Sequence, residues 1–467
     1  MYPCSRNTIM NFVCIHPREL SDTKGDDWNQ RGSKEALLRI YDEFMPDTHD
    51  ILGEADVESL KAWPLLDMDQ LSTWVNGKLV LLGDSAHPFL PHQGQGGGIA
   101  IEDAASLAAL LPAGITTDEI PERLQLYEKC RMERAHKVQE YTRIAGRDLD
   151  DSSRANFQMM EFTLYNFGHD EWHHSKDALK RHLWAKNPNI YRRMPVVFGP
   201  AQGPRQTVWG YRYDGDAAKF TRHSIRFKTS ATYLKTLFPT ESFSFIRPGT
   251  VAEASFDNNT IDKMGWLGGG GYNFLGLWIH GVQYTKKDGS KLFGSFLPIL
   301  FESLSDPITT GREELGMPKM YAEIEIFRRA KSSRVKAGWR GATFGTLELE
   351  DLEEIDAEPQ TDTSPNPVPD DGQFIYKYIP ATGKPGVADV EYPVFVSKHK
   401  SATKQIPRRR WRARNAKVAF EGLSWDALPT LHHVASGLAE VPIYEVIKAE
   451  IIEGDGVEDL RQTERIE

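Results

Sequence analysis

Cysteine is scarce in this chain of 467 residues: only Cys4, Cys14 and Cys130 occur, too few and too irregularly spaced to staple a fold of this size or to ligate a metal. That usage suits a reducing compartment. Long apolar runs are also missing. None approaches the roughly 18 residues needed to span a bilayer, and no charged segment followed by an apolar core opens the chain. Positive charge is in deficit, with a net charge of −10, which argues against a general affinity for a phosphate backbone or an anionic membrane surface. No internal repeat is visible. A soluble cytoplasmic protein acting on small molecules is therefore expected, with neither nucleic acid nor membrane as partner.

What is present is globular material: 40% of residues are hydrophobic and 26% charged, enough to build a core. The length calls for at least two domains. The apolar stretch Asn7 to His16 reads as a strand, Lys34 to Phe44 as an amphipathic helix, and Lys78-Leu-Val-Leu-Leu-Gly-Asp84 as a buried strand that breaks into the glycine loop Gly94-Gln-Gly-Gly-Gly98. Small and apolar residues then recur at helical spacing from Ile99 to Leu111. From about Gln139 to Arg193 the pattern is helical and polar, and turn residues cluster at Lys186-Asn-Pro-Asn189, where a domain junction is expected. Beyond Met194 the period changes to that of short strands: His223 to Lys228, Leu275 to Tyr284, Leu292 to Leu300 and Tyr321 to Phe327. The acidic, Pro-rich stretch 347–371 lacks apolar surface and reads as a mobile insertion.

Two constellations carry chemistry. The first is Gly83-Asp84-Ser-Ala-His87-Pro88, followed by Gly94-Gln95-Gly96 and Ile101-Glu-Asp-Ala104. An Asp at a strand end accepts hydrogen bonds from sugar-like hydroxyls, and glycines at a helix N-terminus let an anionic ligand approach the backbone. The same residues also suit a plain glycine turn capped by an acid. Over residues 1–175 the chain resembles the flavin-dependent aromatic hydroxylases of the salicylate hydroxylase type. The resemblance implies FAD held by Gly83, Asp84, Gly96 and Gly97. The family's N-terminal half, a strand followed by Gly-x-Gly-x-x-Gly for the ADP moiety, has no counterpart here.

The second is Thr310-Gly311-Arg312-Glu313-Glu-Leu-Gly316-Met-Pro318-Lys319-Met320. A lysine between Pro and Met, before an apolar strand, is either a surface turn residue or a desolvated amine that is nucleophilic near neutral pH. Gly-Arg-Glu-x-x-Gly-x-Pro-Lys resembles the active-site signature of the acetoacetate decarboxylase family. Met194-Pro-Val-Val-Phe-Gly-Pro200, Ile225 to Thr229, Leu237-Phe-Pro239, Gly271 to Gly276 and Val441 to Val446 follow the same order over residues 190–455. By this likeness Lys319 condenses with the keto group of a β-keto acid, Arg222 holds the substrate carboxylate, no cofactor is needed, and a homo-oligomer is possible. Two departures stand out. Met320 replaces a second lysine, leaving desolvation alone to depress the Lys319 pKa; Phe274 replaces an acidic residue, pointing to a bulkier, more apolar keto acid or to a different Schiff-base reaction such as aldol condensation or dehydration.

Other signals carry less. His169 and His173 are spaced to share a helix face but lack the His-Glu-x-x-His order, so no metal site is expected. Arg408-Arg-Arg-Trp-Arg-Ala-Arg414 reads as a solvated strand face paired with the acidic insertion. The fold expected is α+β: a β-rich acetoacetate decarboxylase-like domain over 194–457, preceded across a junction at 176–193 by a partial α/β flavoprotein monooxygenase region over 1–175. The function expected is β-keto acid decarboxylation in secondary metabolism of polyketides or aromatic acids. The alternatives are FAD- and NAD(P)H-dependent hydroxylation of an aromatic acid by the N-terminal region, and binding of an apolar carboxylic acid without reaction.

Overall fold

The computed structural model describes residues 2–23, 25, 27, 29–147, 158–186, 190–204, 206–207, 213, 215–357, 368–400, 404–458 and 463–466. The chain divides into two compact units, Met1–Leu183 and Trp184–Glu467.

The first unit is mostly helical. A hairpin of β1 (Tyr2–Cys4) and β2 (Ile9–Asn11) precedes α1 (Lys34–Ile40), whose N-terminus is capped by the Ser33 side chain accepting from the Ala36 amide, and α2 (Pro46–Gly53), which starts on a proline. A two-residue pair, β3 (Val75–Asn76) with β4 (Leu79–Val80), leads to α3 (Gly96–Leu110) and α4 (Ile120–Ala145). Then come α5 (Met159–Phe167) and α6 (Glu171–Ala185). In α3 the buried residues Ile99, Asp103, Ser106 and Leu110 recur every three or four positions and make one stripe against α4.

That stripe is polar at its centre. Arg131 of α4 is fully buried and donates to Asp103 (2.8 Å), Glu102 (2.8 Å) and Glu171 (2.5 Å), tying α3 to α6; Asp103 also accepts from the Gly83 amide (2.9 Å) and pairs with His87 (2.7 Å). Burial pushes the Asp103 carboxyl up, but His87, the Gly83 amide and Arg131 outweigh it and hold the carboxyl below its ordinary range.

Two strand expectations in this unit are corrected. Only Ile9–Asn11 of the Asn7 to His16 stretch is strand. The Lys78–Asp84 run is not a buried strand either: only Leu79 and Val80 pair, and Leu79 and Leu82 are 65% and 42% exposed. The described residues of this unit form only two-stranded antiparallel ribbons, so the run has no wider sheet to enter.

The second unit is built on a twelve-stranded sheet, here described through β5 (Lys219–Ser230), β6 (Val251–Asp262), β7 (Tyr272–Thr285), β8 (Lys291–Glu302) and β9 (Lys319–Tyr321). A four-stranded sheet of β10 (Glu323–Arg328), β11 (Ser332–Trp339), β12 (Ala342–Glu350) and Asn415–Phe420 packs on one face. Alternation decides what goes between them: Ile225, Phe227, Phe256, Leu275, Leu277 and Phe301 meet Val335, Ala337, Phe344, Leu347 and Leu349 in the main core. The other face of β7 and β8 carries a smaller cluster, with Leu297, Leu300, Leu315, Met317, Ile375 and Val394 packed by Phe274 and Trp278.

The stretch 347–371 is not one mobile insertion. Leu347 and Leu349 belong to β12 and lie in the main core, and Glu353–Ile355 forms a strand against Arg410–Arg412. Residues 358–367 lie outside the described residues. The pairing expected of the basic run is present as Arg409–Glu354 and Arg414–Glu353, whereas Arg410 turns inward to Glu450. Among the described residues no helix is long and apolar enough to cross a membrane.

Replacing Arg131 by leucine would leave buried acids without their cation, and breaking such a network costs about 3–5 kcal/mol. Urea unfolding of the full chain should register a loss of that size in the phase assigned to the first unit.

A buried lysine–carboxylate site in the second unit

After β8 the chain runs through the short helix Ser305–Thr310 and a π-turn at Gly311–Leu315, reverses at Gly316 and returns as β9, which pairs parallel to β8 with Lys319 beside Leu300. Gly316 sits at φ +82°, a left-handed conformation that glycine takes without a Cβ penalty. Gly311 has a different role, because a Cβ there would collide with Cδ, Cε and Nζ of Lys319. The loop is fastened by Arg312, whose guanidinium donates to the Lys319 carbonyl (2.9 Å), and by the Met317 amide donating to the Gly311 carbonyl (2.9 Å).

Lys319 is 5% exposed. Its Nζ lies 2.7 Å from Oε1 of Glu302 and donates to the Pro307 carbonyl at 3.0 Å. Glu302 is 1% exposed, and its second oxygen, Oε2, has no hydrogen-bond partner among the described residues. Leu300, Leu315, Met317, Phe274 and Trp278 make up the surrounding apolar cluster.

Burial dominates the ionisation of both groups. Desolvation depresses the Lys319 amine, against the pull of Glu302, and raises the Glu302 carboxyl, against the pull of Lys319. Both directions favour the uncharged forms, an amine that can attack a carbonyl and a carboxylic acid beside it that can give up a proton.

Sequence reasoning missed Glu302. It ended the strand at Leu300 and read Phe274 as an apolar replacement for the family's acid. The register shows otherwise, since Phe274 and Glu302 are direct partners across β7 and β8. The available signal was an acid closing an apolar strand, two residues beyond Leu300 and so on the same face. Met320 points to the opposite face and packs against the main core, so this position projects away from the lysine amine.

Arg222 is not brought to Lys319. Its guanidinium donates to Asn259 Oδ1 (3.0 Å) and Gln405 Oε1 (2.6 Å). It shares a register row with Asn259, Phe274 and Glu302, three strand spacings or about 14 Å from Glu302 along the sheet. The arginines that touch the lysine loop are Arg312, which belongs to it, and Arg193, which bonds to Glu314 (3.1 Å) and to Thr310. A cleft of about 240 Å³ lined by Phe256, Val418, Phe420, Leu438 and Val441 lies on the main-core side of the sheet and offers no reactive group.

In the first unit, Gly83, Asp84, Gly96 and Gly97 do converge. Asp84 Oδ1 lies 3.8 Å from where a Cβ on Gly96 would be, and nothing fills the space over Gly97. Gln95, at the N-cap of the 15-residue α3, makes no side-chain capping bond, which leaves amides facing that space. These residues fit one anionic section of a flavin. The ADP section would need a glycine-rich strand-to-helix turn that the sequence does not contain, so no catalytic step is derived through FAD. His169 and His173 separate onto Glu171 and Asp170. Glu102, His169 and Glu171 come close enough to ligate a metal, but Arg131 already bonds both acids of that group.

Comparison with known proteins agrees with this division. The acetoacetate decarboxylase family model matches residues 193–460. The chain belongs to the acetoacetate decarboxylase family. Residues 3–142 match the FAD binding domain. Among curated relatives, the FAD-dependent monooxygenase cfoG of Aspergillus candidus is 31% identical over 192 residues, covering 39% of this chain and 44% of the relative. Hispidin-3-hydroxylase of Neonothopanus nambi is 37% identical over 138 residues, covering 30% and 32%. The chain thus spans less than half the length of these relatives. A solved acetoacetate decarboxylase structure matches 61% of this chain and 97% of its own at 15% identity, with a TM-score of 0.42.

Because the Gly311 position and the lysine side chain compete for one volume, Gly311→Ala should push Nζ off Glu302. A displacement on the order of 1 Å costs roughly a hundredfold in rate. Carbonyl trapping at Lys319 should slow by that order while the melting temperature changes little.

Proposed function

We propose that the second unit decarboxylates a β-keto acid through a Schiff base on Lys319. The observation that carries this reading is the buried Lys319–Glu302 pair, an amine depressed by desolvation and touching a carboxyl raised by it. The amine nitrogen adds to the keto carbon, and the carbinolamine loses water as Glu302 supplies a proton to the departing hydroxyl. In the resulting iminium the bond to the carboxylate carbon breaks, carbon dioxide leaves, and its electron pair passes to the imine nitrogen as an enamine forms. Protonation at carbon and hydrolysis by water release the ketone and restore the lysine.

The joining of this unit to a region resembling fungal FAD-dependent monooxygenases supports a setting in polyketide or aromatic-acid secondary metabolism. A second reading, favoured by the convergence of Asp84 with the N-terminus of α3, is that the first unit binds the anionic section of FAD. Titration followed by flavin fluorescence tests it: saturable quenching weakened in Asp84→Ala supports it, and none in the wild type removes it.

The decarboxylation reading is tested by borohydride trapping with β-keto acids followed by peptide mapping. The adduct should fall on Lys319 and vanish in Lys319→Ala, together with carbon dioxide release. The pH profile adds a sign. Adduct formation needs the neutral amine, so its acid limb should lie below the free-lysine value of about 10.4. Glu302→Gln removes the charge that pulls the amine pKa up, so the limb should move to lower pH while the maximal rate drops roughly 10²- to 10⁴-fold. An acid limb near the free-lysine value would sink the mechanism.

A further inference from the structure

Phe274 belongs to two clusters at once. It packs with Leu300, Leu315 and Met317 around Lys319, and with Ile261, Met264, Trp266 and Tyr272 at the end of the sheet. Tyr272 and Phe274 are two residues apart on β7 and so share a face, with ring centroids 6.1 Å apart; Tyr272 meets Trp266 edge-on at 6.5 Å. An aromatic row therefore leads away from the lysine.

Both ends of this row hold a polar atom without a partner among the described residues. At the lysine end it is Glu302 Oε2, and at the far end it is the indole Nε1–H of Trp266. A buried donor left unpaired costs roughly 1–3 kcal/mol, and the Trp266 donor is one that a ligand oxygen can satisfy. Just beyond Trp266 the chain passes through Gly268 to Gly271, which are exposed and carry no side chains.

We propose that the keto acid condensing with Lys319 carries an aromatic ring with a hydrogen-bond-accepting oxygen substituent, its ring lying along Phe274 and Tyr272 and its oxygen accepting from Trp266 Nε1. This rests on the Schiff-base reading and narrows its substrate class. A short aliphatic acid such as acetoacetate would meet Phe274 at most and leave Tyr272 and the indole without a partner. A straight chain would cover the rings and leave the donor unpaired.

The test is borohydride trapping of the full chain, with Lys319 occupancy read by peptide mapping. Four acids are compared: acetoacetate, a straight-chain β-keto acid of matched length, and β-keto acids ending in a phenyl or a para-hydroxyphenyl group. The hydroxyphenyl acid should half-saturate Lys319 at a concentration at least about tenfold lower than the phenyl acid, the size expected of one hydrogen bond to a buried donor. The phenyl acid should in turn outrank both aliphatic acids. Trp266→Phe should abolish the difference between phenyl and hydroxyphenyl acids. Equal or tighter saturation by an aliphatic acid overturns the substrate class while leaving the Schiff base intact.

If no keto acid leaves an adduct, the Schiff-base reading has failed. The aromatic seat is then read with unreactive para-hydroxyphenylpropanoate by saturation-transfer NMR. Binding that weakens in Trp266→Phe keeps the aromatic class, and absence of binding overturns it.

Discussion

The second unit is organised around a carboxyl and an amine 2.7 Å apart in a place from which water is nearly excluded. Ionising such a pair away from water is costly, and the cost falls on both members in opposite senses, pulling each toward its uncharged form. Much of the local architecture answers to holding them there. The return of β9 beside β8 aligns the lysine with Leu300, two residues along the strand from the acid and on the same face, the bare Cα of Gly311 leaves room for the lysine side chain, and Arg312 clamps the backbone it hangs from. The apolar cluster of Leu300, Leu315, Met317, Phe274 and Trp278 supplies the low dielectric.

How far this was legible in the sequence depended on whether a feature is local. Gly311, Gly316 and Lys319 sit within one short segment, and their spacing could be read directly. Strand alternation placed β5, β7 and β8 correctly to within a few residues. Glu302 was not found, because its meeting with Lys319 depends on cross-strand register, a long-range property that one sequence does not display. The distance of Arg222 from the lysine is of the same kind: three strand spacings on the sheet separate it from Glu302, a separation that its place in the chain does not display. The acidic stretch was misjudged on composition, since Leu347 and Leu349 alternate with the acids and bury themselves while the acids face out.

The first unit follows a different logic. Its centre is held by charge, with Arg131 shared among three carboxylates on two other helices. Asp103 reaches from that network to the Gly83 amide, so the turn that presents Asp84 is anchored to the helices behind it. The unpaired run at Leu79 to Leu82 shows the limit of pattern reading: an apolar segment is a strand only if a neighbour offers it a ladder.

The register between β7 and β8 bears on where a carboxyl can be supplied. The family resemblance places an acid within Gly271 to Gly276, and this chain has Phe274 there with Glu302 directly across from it. Side chains in that relation start only about 5 Å apart. Selection for a carboxyl beside the lysine constrains a location in space, and either strand can supply it. A carboxyl beside the lysine is therefore to be sought by position in the sheet, on both strands, and not by one place in the chain.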